Sequence, residues 1–255
     1  MKKLLIALFL TSSLMACKKS VTNPTTSSNS TSDSCDANPL INFNCIVTPI
    51  GKFAECIKDI DGNVYKTVRI GSQQWMAENL KVSKYNDGTI IPNIFNNDQW
   101  SNLTSAAWCY YKNDSTYNTK FGKLYNWYTV SNKSNENKNV CPVGWHIPAD
   151  SEWNILTDYL GSADVIGGGM KEVGITNWNS PNTNATNSSL YTGLPGGSRV
   201  YNGSYTNVRI AGNWWSSTEA NTDFVWYRYL QFNDNLLDRS YFYKSFGFSV
   251  RCLKD

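Results

Sequence analysis

The sequence predicts an α+β domain, because it combines one well-marked helix with several strand segments. Start and stop signals for a helix frame residues 148–161. Side chains of the β-rich type alternate along 64–70, 226–232 and 246–253, as expected for strands with one buried face. The two patterns together place the fold in the α+β class.

The N-terminus has the pattern of a bacterial lipoprotein signal peptide. Lys2 and Lys3 precede an apolar run at 4–10, and Ala16 lies directly before Cys17. A small residue there suits cleavage by a signal peptidase, after which a diacylglycerol on Cys17 anchors the chain in a membrane leaflet. The alternative is an ordinary secretory peptide. The apolar run is too short for the ~20 residues of a spanning helix.

Three segments follow the signal peptide at 1–17. Residues 18–34 are rich in Ser, Thr and Asn without apolar periodicity, which predicts a disordered tether. Residues 35–57 form a short cysteine-rich lead-in, and 58–255 have the size of one domain with a sizeable core. Lysines directly after the lipidated cysteine favour the outer membrane. A domain facing the periplasm and one at the cell surface both stay open.

The cysteines favour disulfides over metal or redox chemistry. Outside the cytoplasm thiols oxidise, so the six cysteines other than Cys17 are expected to pair. They are Cys35, Cys45, Cys56, Cys109, Cys141 and Cys252. Six cysteines can pair in many ways, and their spacing does not choose among them. Because no C-x-x-C occurs and His146 is the only histidine, a zinc site and a Cys–His catalytic pair are both poorly supported.

The charge balance argues against a nucleic-acid partner. Of the 23 Lys and Arg residues two lie in the signal peptide, which leaves 21 against 20 Asp and Glu residues. Nucleic acids and electrostatically bound membrane surfaces both need a basic face. We therefore expect contact with the membrane only through the lipid.

A turn and a hairpin are predicted at the start of the domain. The D-x-D-G-N string at 59–63 is typical of a turn, and the alternating run 64–70 is followed by a second one that ends at Met76. A calcium loop is the alternative for 59–63. An EF-hand loop would place its Gly and Glu where this chain has Val64 and Ile70, so we favour the turn.

Two helices are predicted further along. Leu, Trp and Tyr at helical spacing predict a short helix over about 123–130, with its aromatic stripe in the core. The second helix begins after Pro148, with Asp150 or Ser151 as its cap, and Gly161 ends it.

The long segment 167–189, rich in Gly, Asn and Ser, has neither the helical nor the strand period. Turn-rich loops of this length usually either carry function or cover a core. Trp178 lies within it between Asn177 and Asn179 and is the best candidate for an exposed indole, with core packing as the alternative for each tryptophan. Flat aromatic faces stack on sugar rings, so these three residues are the candidate ligand-binding site. Most of the other tryptophans are expected in the core.

Seven sequence blocks occur in a characteristic order: DIDGNVY at 59–65 with IG at 70–71, QWMAENL at 74–80, LYNWY at 124–128, CPVGWHIP at 141–148, LPGG at 194–197, WWSSTE at 214–219 and FSVRC at 248–252. Together they resemble the Fibrobacter succinogenes major paralogous domain over about 58–255. They are similar at a distance to formylglycine-generating enzymes and C-type lectin-like domains. The resemblance implies a C-type lectin-like fold, with two helices packed on a small twisted antiparallel sheet and long loops.

The resemblance also bears on individual residues. Ala149 lies where the family usually has a capping Ser, which shifts the expected cap to Asp150. Formylglycine-generating enzymes use a reactive cysteine pair, and in this chain Cys141 precedes a proline near the start of a helix and Cys252 lies on the last strand. We interpret them instead as a structural disulfide between the helix-bearing segment and the last strand. The partner of Cys109 stays open.

Three classes of function are considered. We expect a lipid-anchored envelope protein with a non-catalytic binding or adhesion module for a glycan or a protein. A structural or assembly component of the envelope is the alternative, and a formylglycine-generating-type enzyme is less favoured. No catalytic residue, cofactor or metal is assigned. The Glu-Pro-Asn, Gln-Pro-Asp and Trp-Asn-Asp sequences of calcium-dependent lectins are absent, and His146 is expected to be hydrogen-bonded and partly buried.

Overall fold

Short β-strands make up most of the regular structure in residues 51–131 and 133–255, the part of the chain that the computed structural model describes. The strands are β1 (Gly51–Lys58), β2 (Val64–Ile70), β3 (Gln73–Met76), β4 (Trp108–Cys109), β5 (Leu124–Asn126), β6 (Trp145–His146), β7 (Gly196–Arg199), β8 (Tyr205–Val208), β9 (Ala211–Glu219), β10 (Phe224–Gln231), β11 (Asp238–Tyr243), β12 (Gly247–Phe248) and β13 (Leu253–Lys254).

The helices of the same part are short. They are α1 (Asn97–Ser101), α2 (Thr116–Phe121), α3 (Trp127–Val130), α4 (Asp150–Leu160) and α5 (Gly167–Met170), with a 3-10 turn at Tyr111–Asn113. Among these described helices none has the length and apolar character that crossing a membrane requires.

The strands form three antiparallel sheets. The first sheet has the order β1-β2-β3-β13-β6, the second β11-β10-β9 and the third β4-β5-β12-β7-β8. The last strand, β13, lies between β3 and β6, so it joins β6 to the rest of the first sheet. The first and third sheets therefore combine strands from distant parts of the chain, whereas the second consists of three consecutive strands.

The prediction of two helices packed on one small sheet is wrong, although the domain contains both helices and strands. Apart from α4, the helices have only four to six residues. Such short helices bury little surface and gain few backbone hydrogen bonds, so strands and loops build the core instead. The described part is mostly β, with three sheets where one was expected.

Only half of the predicted helix at 123–130 is present. Leu124–Asn126 forms β5, which pairs with β4 on one side and β12 on the other, and Trp127–Val130 is helical. Strand pairing on both sides satisfies the backbone hydrogen-bonding groups of β5. These tertiary contacts outweigh the helical spacing of the apolar residues. The Asn126 side chain accepts a hydrogen bond from the Thr129 amide and begins the helix.

The predicted hairpin is confirmed, since β2 pairs with β3. The turn before it is confirmed as well. The Asp59 carboxylate accepts hydrogen bonds from the Asn63 amide at 2.9 Å, from its side chain at 2.8 Å and from the Tyr65 hydroxyl at 2.5 Å. These donors use both carboxylate oxygens. Strand β1 pairs with β2, so residues 51–57 of the predicted lead-in belong to the first sheet.

The predicted helix after Pro148 is confirmed as α4 and ends at Gly161. Its cap differs from the prediction. Ala149 occupies the cap position, and the Glu152 carboxylate reaches back to accept a hydrogen bond from the Ala149 amide at 2.7 Å. The predicted capping role of Asp150 is wrong, because its carboxylate binds two arginines on the second sheet.

The predicted last strand at 246–253 is divided. Gly247–Phe248 is β12 in the third sheet, and Leu253–Lys254 is β13 in the first. Between them Arg251 is fully buried and donates hydrogen bonds to the Asn79 side chain at 2.9 Å and to the Thr192 carbonyl at 2.7 Å. Every residue of the predicted strand is buried, because the segment crosses from one sheet to another through the core.

The core contains nine of the ten tryptophans. These are Trp75, Trp100, Trp108, Trp127, Trp145, Trp153, Trp178, Trp214 and Trp215. Only Trp226, on β10, keeps part of its ring at the surface. The prediction that most tryptophans are buried is confirmed.

Candidate functional site

The hairpin of β10 and β11 places aromatic side chains on both faces of the second sheet. Phe224 pairs with Tyr243 and Trp226 pairs with Tyr241. Because paired residues lie on the same face, these four rings share one side of the hairpin. Tyr227, at the alternate position, is buried on the opposite side.

We call the first side the aromatic face and define it as Phe224, Trp226, Tyr241, Tyr243 and Tyr201. The ring centroids of Trp226 and Tyr241 are 5.5 Å apart, and those of Phe224 and Tyr243 are 4.7 Å apart. Tyr201, in the turn after β7, lies 6.1 Å from Tyr243. The three tyrosines are 46–53% exposed and the other two rings are half-buried. The five rings thus form one contiguous surface.

The sequence of β10 explains why this surface exists. Aromatic residues occupy both alternating rows of the strand FVWYRYLQ. The inner row packs on the core, where the Tyr227 ring lies 4.8 Å from that of Phe248. The other row contains Phe224, Trp226 and Arg228. The start of α4 covers Arg228, whereas Phe224 and Trp226 stay half-buried. A contiguous apolar surface of this kind is typical of an interaction site.

An ion cluster of Asp150, Arg228 and Arg239 lies at one end of the aromatic face. Asp150 accepts hydrogen bonds from Arg228 Nη1 at 2.7 Å and from Arg239 Nη2 at 2.9 Å. Burial raises the pKa of Asp150, but the two guanidinium groups lower it more, so the net pKa is below its ordinary value. Arg228 also donates to Asn154 Oδ1 at 2.7 Å and is almost fully buried.

Arg239 joins the ion cluster to the aromatic face. Its guanidinium carbon lies 3.3 Å from the centroid of the Trp226 ring, in a close cation–π contact. The Asp150 carboxylate and the indole fix the guanidinium from two directions. The aromatic face therefore has a positively charged group held at one end.

The family model of the Fibrobacter succinogenes major domain matches residues 68–254, nearly all of the described part. The chain belongs to the Fibrobacter succinogenes major domain family. No curated protein and no solved structure matches the chain. The aromatic face and the ion cluster both lie inside the matched part of the major domain.

The three residues that the sequence predicts as a ligand-binding site all make hydrogen bonds within the major domain. Trp178 is fully buried and donates a hydrogen bond from Nε1 to the Gly193 carbonyl at 3.0 Å. The prediction that its indole is exposed is therefore wrong. Asn177 donates to Glu172, and Asn179 accepts from Arg209 Nε at 3.2 Å. The loop packs this tryptophan into the core and leaves its neighbours Asn177 and Asn179 partly exposed.

The cysteines fall into three groups. Cys141 and Cys252 form a disulfide, which confirms the predicted pair, and Cys56 is also disulfide-bonded. Cys109 is a buried free thiol, and burial raises its pKa to about 11. The predicted lipidation site, Cys17, lies outside the described residues.

His146 is held between two carboxylates. Its Nδ1 lies 2.6 Å from Asp255 Oδ1 and its Nε2 lies 3.0 Å from Glu152 Oε1. The prediction that His146 is hydrogen-bonded and partly buried is confirmed. Burial lowers the pKa of His146, but the two carboxylates raise it more, so the net pKa is above 6.5.

The free energy of unfolding should therefore fall as the pH rises past neutrality. Because the folded-state pKa of His146 is raised, its contribution is complete below pH 6.5 and is lost as the pH rises through the folded value. The side chain is 36% exposed, so we expect a loss of only about 0.5 kcal/mol after solvent screening. Urea unfolding between pH 5.5 and 8.5 measures it. The His146→Gln variant should lack this slope, and equal slopes in both proteins would contradict the assignment.

A pocket of about 440 Å³ lies at the end of α4. Its lining includes the apolar side chains of Leu160, Val165 and Ile166 and the polar side chains of Asn184 and Asn235. The amide of Asn235 is occupied, since it donates to the Val165 carbonyl and accepts from Gly168. In residues 51–131 and 133–255, no group of three or more His, Cys, Asp or Glu side chains is arranged to hold a metal ion.

Proposed function

We propose that the major domain is a non-catalytic glycan-binding module with the aromatic face as its binding surface. The observation that supports it is the contiguity of the five rings, three of which are tyrosines about half exposed. Sugar rings have apolar faces that stack on aromatic side chains, while phenol hydroxyls remain free for hydrogen bonds. This surface replaces Trp178 as the candidate site.

We also propose that a lipid on Cys17 anchors the protein in the outer membrane, with the domain facing either the periplasm or the cell exterior. The support is the pattern of the first 17 residues, with Ala16 before the cysteine. The predicted tether at 18–34 would let the aromatic face reach a polymer beyond the lipid head groups.

Several contacts favour binding over catalysis. The imidazole of His146 is engaged on both nitrogens, and the sulfur of Cys141 is bonded to Cys252. The proposal accordingly includes no reaction step and no cofactor. An assembly role in the envelope is the alternative, because a tyrosine-rich surface also suits a protein partner.

Glycan binding can be tested with the full-length protein in detergent on a glycan array, followed by calorimetry with the strongest hit. Tyr241→Ala and Tyr243→Ala should each weaken binding about tenfold, because each removes a stacking ring. The matched control is Tyr159→Ala, which removes a similarly exposed tyrosine on α4 outside the aromatic face.

Unchanged affinity in both aromatic-face variants would contradict the proposal. A domain that binds no glycan but captures one envelope protein through Tyr241 and Tyr243 would favour the assembly role instead. Thermal unfolding of each variant shows whether the fold is kept.

A further inference from the structure

We infer that the glycan bound by the aromatic face is acidic, with carboxylate-bearing sugars recognised by Arg239. The inference rests on the proposed function and adds the chemical class of the ligand. The observation behind it is the position of Arg239, whose guanidinium carbon lies 3.3 Å from the centroid of the Trp226 ring.

Arg239 has unused hydrogen-bonding capacity. Its Nε and Nη2 atoms donate to Asp150 at 2.9–3.1 Å, whereas its Nη1 atom has no partner among the described residues. The side chain is 42% exposed, so Nη1 is available to a ligand. Hydrogen bonds from a guanidinium to a carboxylate are charge-assisted and stronger than those to a neutral oxygen.

The ion cluster has an excess of positive charge. Two guanidinium groups, of Arg228 and Arg239, share the single carboxylate of Asp150, which leaves one positive charge. The only acidic residue of the two strands, Asp238, is paired with Tyr229 and lies on the opposite face of the hairpin. Because Arg228 is buried, a ligand can reach this excess positive charge only at Arg239.

The guanidinium is also preorganised. Asp150 and the Trp226 ring hold it in place, so binding costs little further loss of side-chain freedom. A sugar stacked on Tyr241 would have its edge beside Arg239, since Tyr241 and Trp226 are cross-strand neighbours. A sugar that carries a carboxylate could therefore stack its ring on Tyr241 and place its carboxylate beside Arg239.

Calorimetry on the full-length protein in detergent tests the inference with two forms of one polymer. Oligogalacturonate carries a carboxylate on each sugar, and its methyl ester is the neutral counterpart. We expect about tenfold tighter binding of the acid form, with a difference that shrinks as salt is added. Arg239→Gln should bring the ratio of the two affinities close to one. Alginate and hyaluronate, as further carboxylated glycans, and poly-glutamate, as an acidic chain without sugar rings, complete the set.

Equal affinity for acid and ester forms, with binding still dependent on Tyr241, would overturn the inference and leave the proposed function standing. Failure of every carboxylated glycan to bind would also overturn it. Poly-glutamate bound as tightly as the acidic glycans would show that charge alone is recognised, which contradicts the sugar-specific part. If the Arg239→Gln variant unfolds like the natural protein but keeps the same ratio of acid to ester affinity, Arg239 does not recognise the carboxylate.

Discussion

Asp150→Ala is expected to lower the free energy of unfolding by about 3 kcal/mol. The substitution leaves Arg228, which is only 2% exposed, without its carboxylate partner. Removing one member of a buried ion pair is costly because the remaining charge stays out of water. Arg239 loses the same partner but is 42% exposed, so most of the loss is attributed to Arg228. Urea unfolding at neutral pH measures the difference.

Two further substitutions separate charge from side-chain size. Asp150→Asn keeps a hydrogen-bond acceptor for Arg228 but removes the charge, so about half of the loss is expected. Asp158→Ala removes an exposed acidic residue of α4 and should change stability by less than about 0.5 kcal/mol. Equal effects of the Asp150→Ala and Asp158→Ala substitutions would show that the ion cluster contributes nothing.

The double substitution Cys141→Ala and Cys252→Ala is expected to have the largest effect, a loss of about 4 to 5 kcal/mol. The disulfide closes a loop with a sequence separation of 111 residues, and its removal frees that loop in the unfolded chain. In the folded protein it lies next to the pairing of β6 with β13, which closes the first sheet. Both cysteines are fully buried, so the variant also loses packing.

Cys109→Ala is the matched control for this pair, because Cys109 is a fully buried thiol that closes no loop. It should lose about 1 kcal/mol, the value for removing a small buried group. Unfolding is measured without reductant, so that the disulfide of Cys56 stays intact. A double variant no less stable than Cys109→Ala would contradict the predicted role of the cross-link.

Local signals in the sequence were sufficient for some elements and insufficient for others. Helix α4 has a Gly at its end and a proline before its start, so its bounds could be predicted. The segment at 123–130 has too few residues for its spacing to separate helix from strand. Its first half became β5 because two distant strands pair with it, and no local pattern encodes those partners.

The burial of Trp178 was missed for a related reason. Asparagines beside Trp178 suggested an exposed indole, but polar neighbours do not prevent a loop from turning one ring into the core. The aromatic face had a usable signal, since β10 has aromatic residues in both alternating rows. The second sheet is covered on both sides at Arg228 and Leu230, but the row that begins with Phe224 and Trp226 is only half-buried at that end. Which row stays open depends on the core contacts of Tyr227, which are tertiary.

The ion cluster could not be predicted from local sequence. Asp150 precedes Arg228 by 78 residues and Arg239 by 89. At the start of a helix an Asp is usually interpreted as a cap, and that local role was assigned here. At this helix start the Glu152 carboxylate accepts from the Ala149 amide and Thr218 Oγ1 accepts from the Asp150 amide, while the Asp150 carboxylate binds the two arginines.

Oxidative footprinting of the full-length protein, with and without its tightest glycan at saturation, tests the central claim most directly. Side-chain oxidation reports solvent access residue by residue. We expect strong protection of Tyr241, Tyr243 and Trp226 and no change at Tyr159, which is equally exposed but outside the aromatic face. Protection confined to the pocket at the end of α4, with Tyr241 and Tyr243 oxidised as fast as before, would contradict it.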